Sequence, residues 1–213
     1  MSKKQLAIIL SQLKSNPTPN PSLEQYEIPG DLAAEIINQA LLSGDIRDKV
    51  VLDLGCGSGR LAIGCALMSA KKAIGIDIDK KVIQVAEENI ETAEELSTQK
   101  IKRKIQFVHS DIEEFKGHAD TVIQNPPFGI QKEHADRIFL EKALECGSII
   151  YSLHRSYSKS RMFLTRYVEK YGGKVDSIKK FSFRVPCMFK FHKKPAVSFD
   201  VDLYVIRKQS TRK

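Results

Sequence analysis

The sequence predicts an α/β protein built on a doubly wound, mostly parallel sheet that a C-terminal antiparallel hairpin closes. Three observations predict it. Short, nearly continuous apolar runs at Lys49–Leu54, Lys72–Asp77, Lys104–His109, Asp120–Gln124 and Ser148–Leu153 alternate with segments whose apolar residues recur at helical spacing. Runs of that kind are parallel strands buried on both faces. A glycine cluster, Gly55 to Gly59, follows the first run directly, at the sheet end where such folds receive ligands. The last part of the chain differs: Lys174–Val185 and Phe199–Arg207 are long extended segments with no helix between them, so they pair antiparallel.

Taken in order, residues 16–21 read Asn-Pro-Thr-Pro-Asn-Pro, and three prolines that remove donors and bias their predecessors away from helix make this a linker or extended arm. Residues 1–30 are read as an N-terminal extension and residues 31–213 as one domain. Leu32, Ile36, Ile37, Ala40 and Leu41 share a helix face, with Asp31 as the expected N-cap and Gly44 as the stop. Leu61–Ala70 is the expected crossover helix after the glycine cluster. Val82, Ile83, Ala86, Ile90 and Ala93 mark the next helix, Phe139–Leu144 belong to another, and Ser160–Tyr171 form a last one ending at Gly172-Gly173.

Composition sets outer limits. With 213 residues, 42% hydrophobic and 28% charged, the chain buries one sizeable core without obvious division. A net charge of +8 points to an anionic partner, though it does not by itself separate nucleic acid from a merely solvated lysine surface. No apolar run reaches bilayer-spanning length and no export signal opens the chain, so a cytoplasmic protein without membrane association is expected. Cys56, Cys65, Cys146 and Cys187 form no C-x-x-C pair and are read as reduced thiols, mostly in the core. His109, His118, His134, His154 and His192 lack ligand spacing, so no metal is expected.

The motif Asp53-Leu-Gly-Cys-Gly-Ser-Gly59 places Gly55, Gly57 and Gly59 where backbone can approach a ligand closely, before a helix N-terminus that offers free N–H groups to a carboxylate or phosphate. Asp77 ends the second strand, where an acid accepts hydrogen bonds from both ribose hydroxyls. Gly57-Ser-Gly59-Arg-Leu-Ala62 also fits G-x-G-x-x-A, the dinucleotide pattern, but no residues suited to hydride transfer accompany it. As a whole, D-x-G-x-G-x-G resembles the S-adenosylmethionine motif of class I methyltransferases, which implies a Rossmann-like sheet.

Asn125-Pro-Pro-Phe128 follows the fourth strand at the same sheet edge. An Asn carbonyl and a proline carbonyl supply two acceptors that converge on one NH₂ group, and the phenylalanine stacks on the attached planar system. The nitrogen lone pair is then left facing a methyl sulfonium. These residues, Asn125, Pro126, Pro127 and Phe128, are the expected catalytic set. Together with the glycine motif they resemble the amino-methyltransferases, whose substrates are adenine, guanine N2 or the glutamine amide of release factors. A catalytically silent RNA-binding assembly factor is the alternative outside enzymes.

Leu23-Glu-Gln-Tyr26, Tyr151-Ser-Leu-His154 and Phe189-Lys-Phe-His-Lys-Lys194 narrow the resemblance to the methyltransferase-like protein five family, rRNA adenine-N6 methyltransferases of the small subunit, over residues 22–207. The resemblance implies that Gln25 touches S-adenosylmethionine, Gly55, Cys56 and Gly57 its methionine part, Asp77 the ribose, and Asp111 with Ile112 the adenine. Gly59, Ile78 and Asn125 complete the expected cofactor site. Where the family continues L-E-Q-Y with P-T, this chain has Glu27-Ile28. Aromatic and basic residues interleave at 189–194 in a way that suits RNA; Arg155, Lys159, Lys190, His192, Lys193 and Lys194 are the expected RNA contacts. The third strand, Ile105–Val108, is expected at an open sheet edge, and the resemblance implies a small zinc-binding activator protein covering it.

Overall fold

The computed structural model describes residues 1–20, 23–129, 135–186 and 196–209. Seven strands form one sheet: β1 (Val50–Leu54), β2 (Lys72–Asp77), β3 (Ile105–His109), β4 (Ala119–Gln124), β5 (Gly147–Arg155), β6 (Gly173–Pro186) and β7 (Ala196–Lys208). Their order across the sheet is β3-β2-β1-β4-β5-β7-β6. The first five strands pair in parallel, and β7 runs antiparallel to both β5 and β6. The expected doubly wound sheet with its closing hairpin is therefore present, and β3 is its terminal strand.

Helices cover both faces. On one lie α1 (Lys3–Gln12), α2 (Gly30–Leu42) and α3 (Arg60–Leu67), joined by one side of α4 (Lys80–Ser97); on the other lie α5 (Ala135–Cys146) and α6 (Ser158–Lys170). The period of two in a strand assigns the faces: Val51 joins the first cluster while Leu52 and Leu54 join the second. No helix among the described residues is long and apolar enough to cross a membrane.

Two local readings change. Asp31 is not the N-cap of α2; Pro29 holds that place without a side-chain cap, and Asp31 sits in the first turn with its carboxylate accepting from Leu32 N at 2.8 Å. An acid there still complements the helix dipole, so the composition signal was right and its position was not. The unanticipated element is α1. Ser2 and Gln5 form a reciprocal capping box at its start, and Leu6, Ile9 and Leu10 are buried along one side. Helix α1 packs on α2 across Gly30, where an added Cβ would stand 2.5 Å from Ser11 N.

Leu10 is fully buried, and its methyl groups would stand 3.2 and 3.6 Å from a Cβ placed on Gly64 of α3. Leu10→Ala should therefore lower the unfolding free energy by about 2–5 kcal/mol, the range for a core truncation that leaves a cavity. Denaturant titration checks this; unchanged stability would mean that α1 adds nothing to the common core.

Candidate active site

The carboxyl ends of β1, β2 and β4 converge on one cavity of about 240 Å³. After β1 the backbone turns through the glycine loop into α3. Gly57 has φ +53°, and nothing lies within 4 Å of where its Cβ would stand, so a side chain there would be strained and would project into open space beside the cavity. Gly59 differs: with φ +84°, its missing Cβ would meet the Phe107 ring of β3 at 2.5 Å. It caps α3 and does not line the cavity. The structure thus brings nine of the ten expected cofactor residues to the cavity wall, namely Gln25, Gly55, Cys56, Gly57, Asp77, Ile78, Asp111, Ile112 and Asn125.

Three carboxylates shape the floor. Asp77 ends β2, accepting from Gly57 N at 2.9 Å and from Asp79 N at 2.9 Å. Burial raises its pKa above the usual carboxylate range, and these backbone donors oppose the rise. Asp53, inside β1, accepts from Ala62 N at 3.1 Å with one oxygen, while the other is buried with no partner among the described residues. Burial pushes its pKa up to about 8, the Asp77 charge adds to this, and the Ala62 N–H opposes it. Asp111 accepts from Glu113 N at 3.0 Å and caps a single 3-10 turn at Ile112–Glu114. Asp53 was legible only as a letter of the motif; a carboxylate inside an apolar strand was the signal of its special place.

Residues 13–20 and 23–28 form a strap at the cavity. Arg60, the first residue of α3, holds both of its legs: it donates to Leu13 O at 3.2 Å, Ser15 Oγ at 3.1 Å and Ile28 O at 2.9 Å, and pairs with Glu27 at 3.1 Å. Glu27, which stands outside the family pattern, is thereby the counter-ion of a buried guanidinium. Within the strap, Gln25 donates to Asp79 at 3.0 Å and accepts from Asn16 Nδ2 at 2.9 Å and Asn20 N at 2.7 Å. Sequence reasoning missed Arg60, because an arginine next to a glycine loop reads as solvated.

The acceptor motif lies under the strap. Asn125 Nδ2 donates to Tyr26 O at 2.9 Å. A backbone carbonyl only accepts, so this contact fixes which way the amide faces. Its Oδ1 is buried and, among the described residues, has no hydrogen-bond partner, in a residue that lines the cavity. Pro127 lines the cavity as well, whereas Pro126 is buried behind it. Phe128 does not face the cavity. Its ring stacks near Tyr26 at 6.4 Å and meets Phe183 and Phe199 edge-on at 5.7 and 5.5 Å, an arrangement favoured by aromatic quadrupoles. Behind the motif, Gln124 donates to Ser152 Oγ at 2.9 Å, which in turn contacts His154 Nε2 at 2.8 Å, so the ends of β4 and β5 are tied.

Among the expected RNA contacts, Arg155 closes β5 beside this cluster, its guanidinium 4.5 Å from the Phe199 centroid. Lys190, His192, Lys193 and Lys194 lie outside the described residues, as does the side chain of Lys159. Cys56, Cys65 and Cys146 are buried free thiols, and burial pushes each of them up.

Removing one partner of a buried ion pair strands the other. Arg60→Leu should cost about 3–5 kcal/mol of stability, and Arg60→Leu combined with Glu27→Leu should recover part of that loss. A double-mutant cycle read by chemical denaturation checks it; strictly additive losses would show that the pair is uncoupled.

Known proteins resemble this chain in sequence and fold. A family model described as ribosomal protein L11 methyltransferase (PrmA) matches residues 32–145. An uncharacterized protein of Methanocaldococcus jannaschii is 44% identical over 97% of this chain and 94% of its own length. The rRNA N6-adenosine-methyltransferase METTL5 of Danio rerio is 32% identical over 95% of this chain and 97% of its own. A solved structure of a candidate RNA methyltransferase from Pyrococcus horikoshii superimposes with a TM-score of 0.90 at 38% identity, covering 99% of both chains. The L11 methyltransferase model ends before β5, while the METTL5 relative also spans the strap and the closing hairpin. The chain therefore belongs to the METTL5 family of rRNA N6-adenosine methyltransferases, and it is a class I S-adenosylmethionine-dependent enzyme.

Proposed function

We propose that this enzyme methylates the exocyclic N6 amino group of an adenine in small-subunit ribosomal RNA. The observation that carries the reading is the buried Oδ1 of Asn125, a residue of the cavity wall, which has no partner among the described residues. An acceptor held dry and unpaired calls for a donor, and an amino group on a planar ring supplies one. Relatives named as rRNA N6-adenosine methyltransferases support the substrate class. A second acceptor, from the Pro126-Pro127 backbone, takes the other amino hydrogen. Both oxygens then stabilise the positive charge that develops on the nitrogen as it is methylated. The rings beside the motif favour a flat base over the flexible amide of glutamine.

S-adenosylmethionine, when bound, supplies an electrophilic methyl group on a sulfonium. The residues present fit it: the open side of Gly57 and the α3 N-terminus suit its carboxylate, Asp77 its ribose hydroxyls, and Ile78, Asp111 and Ile112 its adenine. Asp53, with one unpartnered oxygen, suits its ammonium. We also place a small zinc-binding activator protein at the edge of β3, where Gln106 and His109 are exposed on the terminal strand. Absence of association in size-exclusion at micromolar concentration would remove that partner. Free buried thiols fit a reducing cytoplasm.

Asn125→Ala should lose on the order of 10² in methyl-transfer rate while keeping near-normal cofactor affinity, since one positioning contact is gone. Asp77→Ala should lose the cofactor first. Tritiated-methyl transfer to ribosomal RNA, with calorimetry of cofactor binding, separates the two; wild-type transfer by Asn125→Ala would end this reading.

The pKa of Asp53, raised by burial to about 8, gives a second test with a definite sign. A cationic group beside it favours the ionised form, so binding below that pH must expel the proton. Cofactor affinity should rise with pH, approaching about tenfold per unit, and level off near pH 8. Asp53→Asn should flatten the profile. Equal heats in buffers of different ionisation enthalpy would show that no proton leaves.

A further inference from the structure

A base that enters the cavity beside Asn125 has left its stack, and the neighbouring nucleotide then needs a new face to lie against. The molecule offers one that leads outward from the acceptor motif. The Phe128 ring meets Phe199 of β7 edge-on at 5.5 Å. The Arg155 guanidinium lies 4.5 Å from the Phe199 centroid and 5.4 Å from that of Tyr157. Tyr157 is 53% exposed. The three side chains form a ladder from the motif to the surface, at the carboxyl end of β5 beside that of β4.

Folding does not account for Tyr157. It occupies the N-cap of α6, yet makes no side-chain cap bond, and tyrosine is a poor residue for a place that Ser, Thr, Asp or Asn would stabilise. More than half of its surface faces solvent, so it adds little to the core. Nor is Arg155 neutralised: among the described residues it forms no ion pair, whereas Arg161, close by in α6, is locked to Asp202 through two bonds of 2.6 Å. A planar cation held by rings and not by a carboxylate remains able to stack on a base and to meet a phosphate.

We propose that Phe199, Arg155 and Tyr157 form the subsite for the nucleotide adjoining the target adenine, with that base stacked on the exposed ring of Tyr157. The proposal rests on the reading of the enzyme as an RNA base methyltransferase. It adds two residues, Tyr157 and Phe199, to the expected RNA contacts and assigns Arg155 a stacking role besides its charge.

The test is steady-state methyl transfer to protein-free ribosomal RNA, with cofactor affinity measured separately by calorimetry. Tyr157→Ser should raise KM for RNA about tenfold, as loss of one stacked base implies, with kcat and cofactor affinity unchanged. The salt dependence should keep its slope, because no charge is removed. Tyr157→Phe should restore KM. Arg155→Lys, which keeps the charge and loses the plane, should raise KM as well. Wild-type KM in Tyr157→Ser, a loss confined to kcat or to the cofactor, or failure of Tyr157→Phe to rescue would each overturn the subsite while leaving the methyltransferase reading in place. If the wild-type enzyme methylates no RNA, that reading falls, and the subsite with it.

Discussion

The Arg60 guanidinium determines how the two halves of the site meet. A charge buried at the start of α3 must be paired and hydrogen-bonded or it destabilises the fold by several kcal/mol. Here it gathers Leu13 O, Ser15 Oγ, Ile28 O and the Glu27 carboxylate, which come from both legs of one strap. Because Arg60 follows Gly59 directly, the strap is fixed relative to the glycine loop and not to a distant surface. Two consequences follow from that anchorage. Gln25 is held against Asp79, and the Tyr26 carbonyl is held over Asn125. On the proposed reading, one cation therefore sets the spacing between the place of the methyl donor and the place of the amino group, where a displacement of an ångström matters for rate.

The polar groups left unmade are as informative as those made. Buried acceptors are almost always satisfied in folded proteins, yet among the described residues Asp53 Oδ1 and Asn125 Oδ1 both lack partners, and both belong to residues on the wall of the same cavity. Neither residue is loosely placed: Asp53 is fixed by Ala62 N and Asn125 by Tyr26 O. The fold thus holds two desolvated acceptors in set directions at the cost of stability. Such acceptors need no reorganisation when a donor arrives, which is how a preorganised polar site favours charge development.

Much of this was legible in the sequence because it rests on patterns of short range. Strands buried on both faces show as apolar runs, and the glycine loop and Asn-Pro-Pro-Phe sit at strand ends where ligands bind. Less legible were features set by tertiary contact. Helix α1 was missed although Leu6, Ile9, Leu10 and Leu13 keep helical spacing, because ten residues with three lysine or glutamine side chains at the start read equally well as a solvated tail until α2 and α3 cover them. Gly59 reads as part of the cofactor loop, while its neighbour is the Phe107 ring of β3. Phe128 reads as a stacking platform for the substrate, while its contacts are three other aromatic rings. In each case the letter was right to attract notice, and the partner that gives it meaning lies far away in the chain.

That separation bears on how the family divides its labour. The match to the L11 methyltransferase model covers residues 32–145, which carry the glycine loop, the carboxylates of β1 and β2 and the acceptor motif. Enzymes with different substrates share that core, since binding the cofactor and gripping an amino group make the same physical demands on each. The strap, β5 and the β6–β7 hairpin lie outside it. From there come Tyr26, Phe183 and Phe199, the rings that surround Phe128, and Arg155, which covers Phe199. On the proposed reading, the chemistry therefore resides in the shared sheet edge, and the surface that decides which molecule presents its amino group is supplied by the two ends of the chain, folded together over it.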